Sequence, residues 1–138
     1  MIAVRDINAA SNWYQQVLGF EWGKAADGYQ ALLLGGEVVL QLQCGQTDRY
    51  PYLVVPGNES RGHGVVLWFE TPYFDDAAAR ARENGAEILE PVHYNGQAHH
   101  REILLRDLEG HVIVLASPYG DLGDMKVPVH THRNGCYE

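Results

Sequence analysis

The apolar positions of the chain fall into two similar series. From Asn8 to Leu18 they recur at helical spacing, with Ala9, Trp13 and Val17 on one line and Ala10, Tyr14 and Leu18 beside it. Asp6 and Asn8 are side chains that cap a helix start, and Gly19 stands where a left-handed glycine ends one. Met1 to Val4 reads as a short strand ahead of this helix. Strands are predicted over Phe20–Gly23, Tyr29–Leu34 and Glu37–Gln43. The turn Ala26-Asp27-Gly28 and the hairpin signal Gly35-Gly36 separate them.

The second series opens with Gly62–Glu70, the strongest strand signal in the chain. Thr71-Pro72 then marks a helix start. Phe74, Ala77, Ala78 and Ala81 supply its apolar face, with Asp75 and Asp76 early and Arg80 and Arg82 late, as the helix dipole favours. Asn84-Gly85 ends it. Strands follow over Glu87–Val92, Arg101–Arg106 and His111–Ala116. The order strand, helix, three strands thus occurs twice. Gly19-Phe20-Glu21 corresponds to Gly85-Ala86-Glu87, and Gly36-Glu37-Val38-Val39-Leu40 to Gly110-His111-Val112-Ile113-Val114. This predicts a single α+β domain over 1–118, built from two βαβββ modules at 1–45 and 62–118. Residues 46–61 form the connecting loop, and 119–138 a C-terminal tail. The loop carries Tyr50 and Tyr52 and reads as either an anchored connector or a lid.

Composition narrows the function. A chain of 138 residues with 46% hydrophobic and 20% charged side chains supports one full core. Its net charge of -8 and the absence of a basic run argue against nucleic-acid binding. No apolar run approaches the roughly 20 residues of a membrane helix, and the N-terminus lacks a signal-peptide core. The two cysteines, Cys44 and Cys136, have no metal-type spacing, so a reduced cytoplasmic setting is expected.

Several of these residues resemble a known family. Val4-Arg5-Asp6-Ile7 before Ser11, Trp13-Tyr14 and Val17-Leu18-Gly19-Phe20 is similar to the opening of a vicinal-oxygen-chelate domain. That superfamily holds glyoxalases, bleomycin-resistance proteins, fosfomycin-resistance enzymes and extradiol dioxygenases. Gly62-His63 before an apolar strand, and Arg106-Asp107-Leu108-Glu109-Gly110-His111 before the last one, match its second-half motifs. The resemblance implies two βαβββ modules forming a cupped mixed sheet with helices on the outer face, often completed as a homodimer. It also implies a metal set for the family's enzymes: a ligand on the first strand, one opening the second module and a glutamate on the last strand. His63 matches the second of these. The first falls before Met1. The glutamate position falls on Val114, which has no donor atom. Gln41 is its nearest counterpart in the first module, if one residue is inserted after Gly35-Gly36.

Strand alternation then selects the candidate pocket. His63, Val65, Leu67 and Phe69 share one face of their strand, and Val112, Val114 and Ala116 one face of the last. Gln41 and Gln43 oppose Leu40 and Leu42, and Arg101 is drawn from the seventh strand. The expected ligand-binding residues are therefore His63, Gln41, Gln43, Leu67, Phe69, Arg101 and Val114, in a mostly apolar concavity. Three roles are open for His63: a hydrogen bond to a ligand, a metal ligand, or a structural histidine. No cofactor is expected, and a divalent metal stays open through His63 alone. His130 and His132, with Cys136 beyond, form the other metal-like spacing and read as an exposed tail. His99 and His100 read as loop, His111 as a structural turn residue, Glu70 as a strand-end carboxylate, and Trp22 and Trp68 as core. No nucleophile–base pair and no phosphate-cradling loop is recognisable. The leading expectation is a small-molecule-binding protein of the glyoxalase/bleomycin-resistance type. The alternatives are a metal-dependent lyase, isomerase or dioxygenase completed by the tail or a partner subunit, and a structural or regulatory dimer module.

Overall fold

Asp6 accepts the Ala9 amide at 2.9 Å and caps the first helix, α1 (Ile7–Leu18). Gly19 ends it in the left-handed conformation, φ 72°, and its amide bonds back to the Gln15 carbonyl. The computed structural model describes residues 1–44, 53 and 62–123, and the backbone of 129–130. The connecting loop with Tyr50 and Tyr52, and the tail beyond 123 with the His130, His132 and Cys136 side chains, lie outside the described residues.

The first module adds β1 (Ile2–Val4), β2 (Glu21–Ala26), β3 (Tyr29–Leu34) and β4 (Glu37–Cys44). The second comprises β5 (Val66–Glu70), α2 (Phe74–Glu83), β6 (Glu87–Asn95), β7 (His100–Arg106) and β8 (Val112–Ala116). A two-residue strand, β9 (Val129–His130), pairs in parallel with β6. The sheet orders are β1-β4-β3-β2 and β5-β8-β7-β6-β9. In each module the first strand pairs in parallel with the last and the others are antiparallel. The architecture is α+β, a duplicated βαβββ unit with mixed sheets and a helix behind each.

One apolar cluster joins the modules. Tyr14, Val17 and Leu18 of α1 and Phe74, Ala78 and Ala81 of α2 are buried with Leu32, Leu40 and Leu42 of the first sheet and Ile103, Leu105, Ile113 and Leu115 of the second. Phe20 meets the Phe69 ring edge-on at 5.3 Å across the modules. Burial of this apolar surface is the main stabilising term. It also fixes which face of each sheet is turned inward. Among the described residues no helix packs on the other face, the inside of the cup.

Candidate functional site

The cup face follows from the core face by alternation. On β4, Leu40 and Leu42 are in the core, so Gln41 and Gln43 point the other way. Gln43 is tied down, donating to the Gly28 carbonyl at 2.7 Å. Between Leu32 and Leu33 the pairing slips, because Val38 and Leu40 oppose consecutive residues of β3. Val39 is thus an extra residue in β4, and it shifts Gln41 into the position corresponding to Val114 of β8.

On the second sheet the cup face carries three cross-strand rows. Val66, Val112 and Arg106 form the first, with Glu87 at its end. Trp68, Val114, Leu104 and Glu90 form the second. Glu70, Ala116, Glu102 and His93 form the third. Val66 is 54% and Trp68 50% exposed. This corrects the expected face of β5. Leu67 and Phe69 pack against the core cluster, and Val66, Trp68 and Glu70 take the cup. Phe69 instead lines a cleft of about 580 Å³ between the modules, with Leu18, Phe20, Leu34 and Leu115. Neither Trp68 nor Trp22, 57% exposed at the edge strand β2, is a core residue.

Arg101 also lies outside the cup. It shares the inward parity of Ile103 and Leu105. Its guanidinium donates to Asp75 at 2.7 and 3.3 Å and to Asp121 at 2.8 Å, and stacks 4.9 Å from the Phe74 ring. The Asp75 hydrogen bonds, with the one to Asp121, raise its pKa despite burial. Arg101 is a clamp between α2 and the segment after β8.

His63 sits in a turn ahead of β5. Gly62 at φ 83° and Gly64 at φ 73° flank it, so the extended reading of this stretch begins only at Val66. A Cβ on Gly62 would lie 2.9 Å from the His111 Cα, so the turn rests directly on the start of β8. The exposed His63 borders a cleft of about 360 Å³ with Val66, Arg106, Gly110 and Val112. Of the expected pocket residues, Val114 is therefore on the second module's cup face and His63 in the turn at its edge, in a cleft that does not include Val114. Gln41 and Gln43 are on the cup face of the other sheet.

The same face holds a buried polar cluster that sequence reading missed. His93 Nε2 lies 3.0 Å from Glu102 Oε1 and 3.5 Å from Glu90 Oε2. His100 Nε2 lies 3.0 Å from Glu102 Oε2, and Asn95 donates to Glu102 at 3.3 Å. His93, His100 and Glu102 are all buried. His93 Nδ1 faces the Pro91 carbonyl at 2.8 Å, where it can only donate. Burial pushes the Glu102 carboxyl up, but hydrogen bonds from His100, His93 and Asn95 outweigh it and hold the pKa below the usual value. The His100 ring is 6.0 Å from the Trp68 ring, so the cluster adjoins the exposed tryptophan.

Residues 1–115 match the sequence profile of the Glyoxalase/Bleomycin resistance protein/Dioxygenase superfamily. The chain belongs to this superfamily. Solved structures agree at the level of fold. TioX from Micromonospora sp. ML1 is 24% identical with a TM-score of 0.66, covering 84% of this chain and 93% of that one. A glyoxalase/bleomycin resistance protein/dioxygenase from Nocardioides is 21% identical with a TM-score of 0.67, covering 87% and 81%. The fosfomycin resistance protein FosX from Listeria monocytogenes is 17% identical with a TM-score of 0.59, covering 85% and 88%. No curated protein matches the chain significantly.

The metal enzymes of the glyoxalase superfamily set the test for a metal in this chain. The glutamate position on β8 is Val114, between Trp68 and Leu104, and it offers no oxygen or nitrogen. Among the described residues no three His, Cys, Asp or Glu side chains are placed to hold a metal ion. The described donors of this superfamily member do not fit its enzymes' metal set. The chain also has, among those residues, no helix long and apolar enough to cross a membrane.

Proposed function

We propose that this superfamily member binds a small apolar or aromatic molecule inside its cup and uses less than the full metal set of its enzyme relatives. The observation that carries the reading is the apolar patch of Val66, Trp68 and Val112, with Val114 buried beneath it, on a face that no described helix covers. An exposed aromatic beside a buried polar cluster is what an orienting small-molecule site needs: apolar area for affinity and few polar groups for orientation. Valine at position 114 directs that area toward a ligand carbon skeleton.

The working unit is a homodimer. The second sheet of one chain would face the first sheet of its partner, which brings Gln41 and Gln43 across from Trp68. Val38, 54% exposed on the first sheet, and Val66 and Trp68 on the second support this reading.

The alternative is a metal-dependent lyase, isomerase or dioxygenase whose ligands come from the tail or a partner. It draws on β9, whose backbone pairs with β6 at Asn95, in the sheet that holds His93 and His100. Thermal-shift screening of aromatic compounds on wild type and Trp68→Ala separates the readings, since a ligand of the native state raises apparent stability. A shift in wild type that Trp68→Ala loses supports the cup. Shifts that require added divalent metal support the alternative.

A further inference from the structure

We infer that the ligand of this cup is an anion, a molecule with an aromatic or apolar body and one carboxylate or comparable oxyanion, anchored by Arg106 with His63 beside it. The inference rests on the binding reading above and names the ligand class.

Arg106 occupies the cup face of β7, in the row of Val66 and Val112. Its only described ion pair is a long one, Nε to Glu87 Oε1 at 3.9 Å. Glu87 is 62% exposed, and such surface pairs contribute little. The Arg106 side chain is 40% exposed, but its Nε atom is buried and, among the described residues, has no hydrogen-bond partner. A buried donor left unfilled is costly, and buried polar groups are otherwise almost always paired. Arg101, on the opposite face, also leaves its Nε unfilled, but two carboxylates close on its terminal nitrogens, and no described carboxylate does so on those of Arg106. Arg106 presents a planar fork of N–H donors whose natural complement is a carboxylate or phosphate-like oxygen pair.

Arg106, His63, Val66 and Val112 border one cleft of about 360 Å³, so two side chains able to carry positive charge meet an apolar floor. The His63 turn is held in place by the contact of Gly62 with His111. This local cationic character stands against a formal net charge of -8 for the chain. Trp68 lies one row along and two strands across from Arg106. That is a backbone separation of about 12 Å at ordinary strand spacings, bridged by Val112 and Val66, and the Trp68 ring lies toward His100 at the other end of β7.

The test compares 1-naphthylacetate with its uncharged amide, two ligands of the same body, by calorimetric titration of the full chain. The acid is expected to bind about tenfold or more tightly than the amide, as a charge-assisted hydrogen-bond pair allows. Arg106→Gln should weaken the acid about ten- to a hundredfold and leave the amide unchanged. His63→Ala, in an exposed turn, should weaken the acid severalfold and spare the amide. Equal binding of acid and amide by wild type, or equal weakening of both by Arg106→Gln, overturns the anion inference while the cup stands. Amide binding that Trp68→Ala leaves intact overturns the cup reading itself. Failure of both ligands to bind wild type overturns both.

Discussion

Tyr14 donates its hydroxyl hydrogen bond to Asp107 Oδ2 at 2.7 Å, which ties α1 of the first module to the β7–β8 turn of the second. The other oxygen, Oδ1, accepts the amides of Glu109, Gly110 and His111, each at 2.9 Å, and His111 Nδ1 lies 2.8 Å from Oδ2. This one carboxylate organises the turn from which β8 starts. Tyr14→Phe should cost about 1.5–3 kcal/mol, the range for a hydrogen bond to a charged group. Urea denaturation followed by circular dichroism reads it, and a change below about 0.5 kcal/mol would show that the bond is replaced by water.

Acid should destabilise the protein through two carboxylates. Burial pushes Asp107 up, but hydrogen bonds from His111 and Tyr14 outweigh it and hold the carboxyl below its ordinary value. Glu102 is held low by His100, His93 and Asn95 in the same way. A depressed folded pKa means that the unfolded chain takes up protons first as pH falls. The stability these groups add is therefore complete above the ordinary carboxyl range, near pH 4, and is lost as pH drops through their folded values. Asp107→Asn and Glu102→Gln should each lower stability at pH 7 and flatten its fall below pH 4. An acid limb of unchanged steepness in both variants would contradict this assignment.

The glycines around His63 make a controlled pair. Both Gly62 and Gly64 have positive φ, but a Cβ on Gly62 meets the His111 backbone at 2.9 Å and one on Gly64 meets nothing within 4 Å. Gly64→Ala should cost about 1 kcal/mol, the left-handed backbone alone. Gly62→Ala should cost about 1–3 kcal/mol and displace the turn. Equal melting temperatures for the two variants would mean that the turn does not rest on β8 as described.

The proposed dimer depends on the exposed apolar cup. Light scattering of the wild type should give twice the chain mass. Trp68→Glu should give the chain mass, with unchanged circular dichroism, because a buried unpaired charge opposes association. A monomeric wild type, or a dimeric variant, would remove the homodimer from the account.

Much of the fold is legible in the residues. Asp6 and Gly19 bracket α1 within a residue of its observed ends, because capping is local chemistry. The Gly35-Gly36 signal and the alternation of Leu40, Gln41, Leu42 and Gln43 place the β3–β4 hairpin and its faces. The face of β5 is not legible: Val65 to Phe69 is apolar throughout, so period-two alternation carries no signal, and only packing against α1 and α2 decides it. His63 looks like part of that strand because glycine identity does not reveal the positive φ of both neighbours. The His93–Glu102–His100 cluster is hidden for another reason. β6 continues past Pro91 to Asn95, and two register shifts bring His93 opposite Glu102. Bulges of this kind cannot be counted from spacing.

The most direct measurement is calorimetric titration of 1-naphthylacetate into untagged wild-type protein before and after exhaustive chelation with EDTA, with the metal content of both samples determined. The account predicts a single saturable site per chain whose affinity is the same in both samples and is lost in Trp68→Ala. Binding that disappears on chelation and returns with a stoichiometric divalent metal would contradict it.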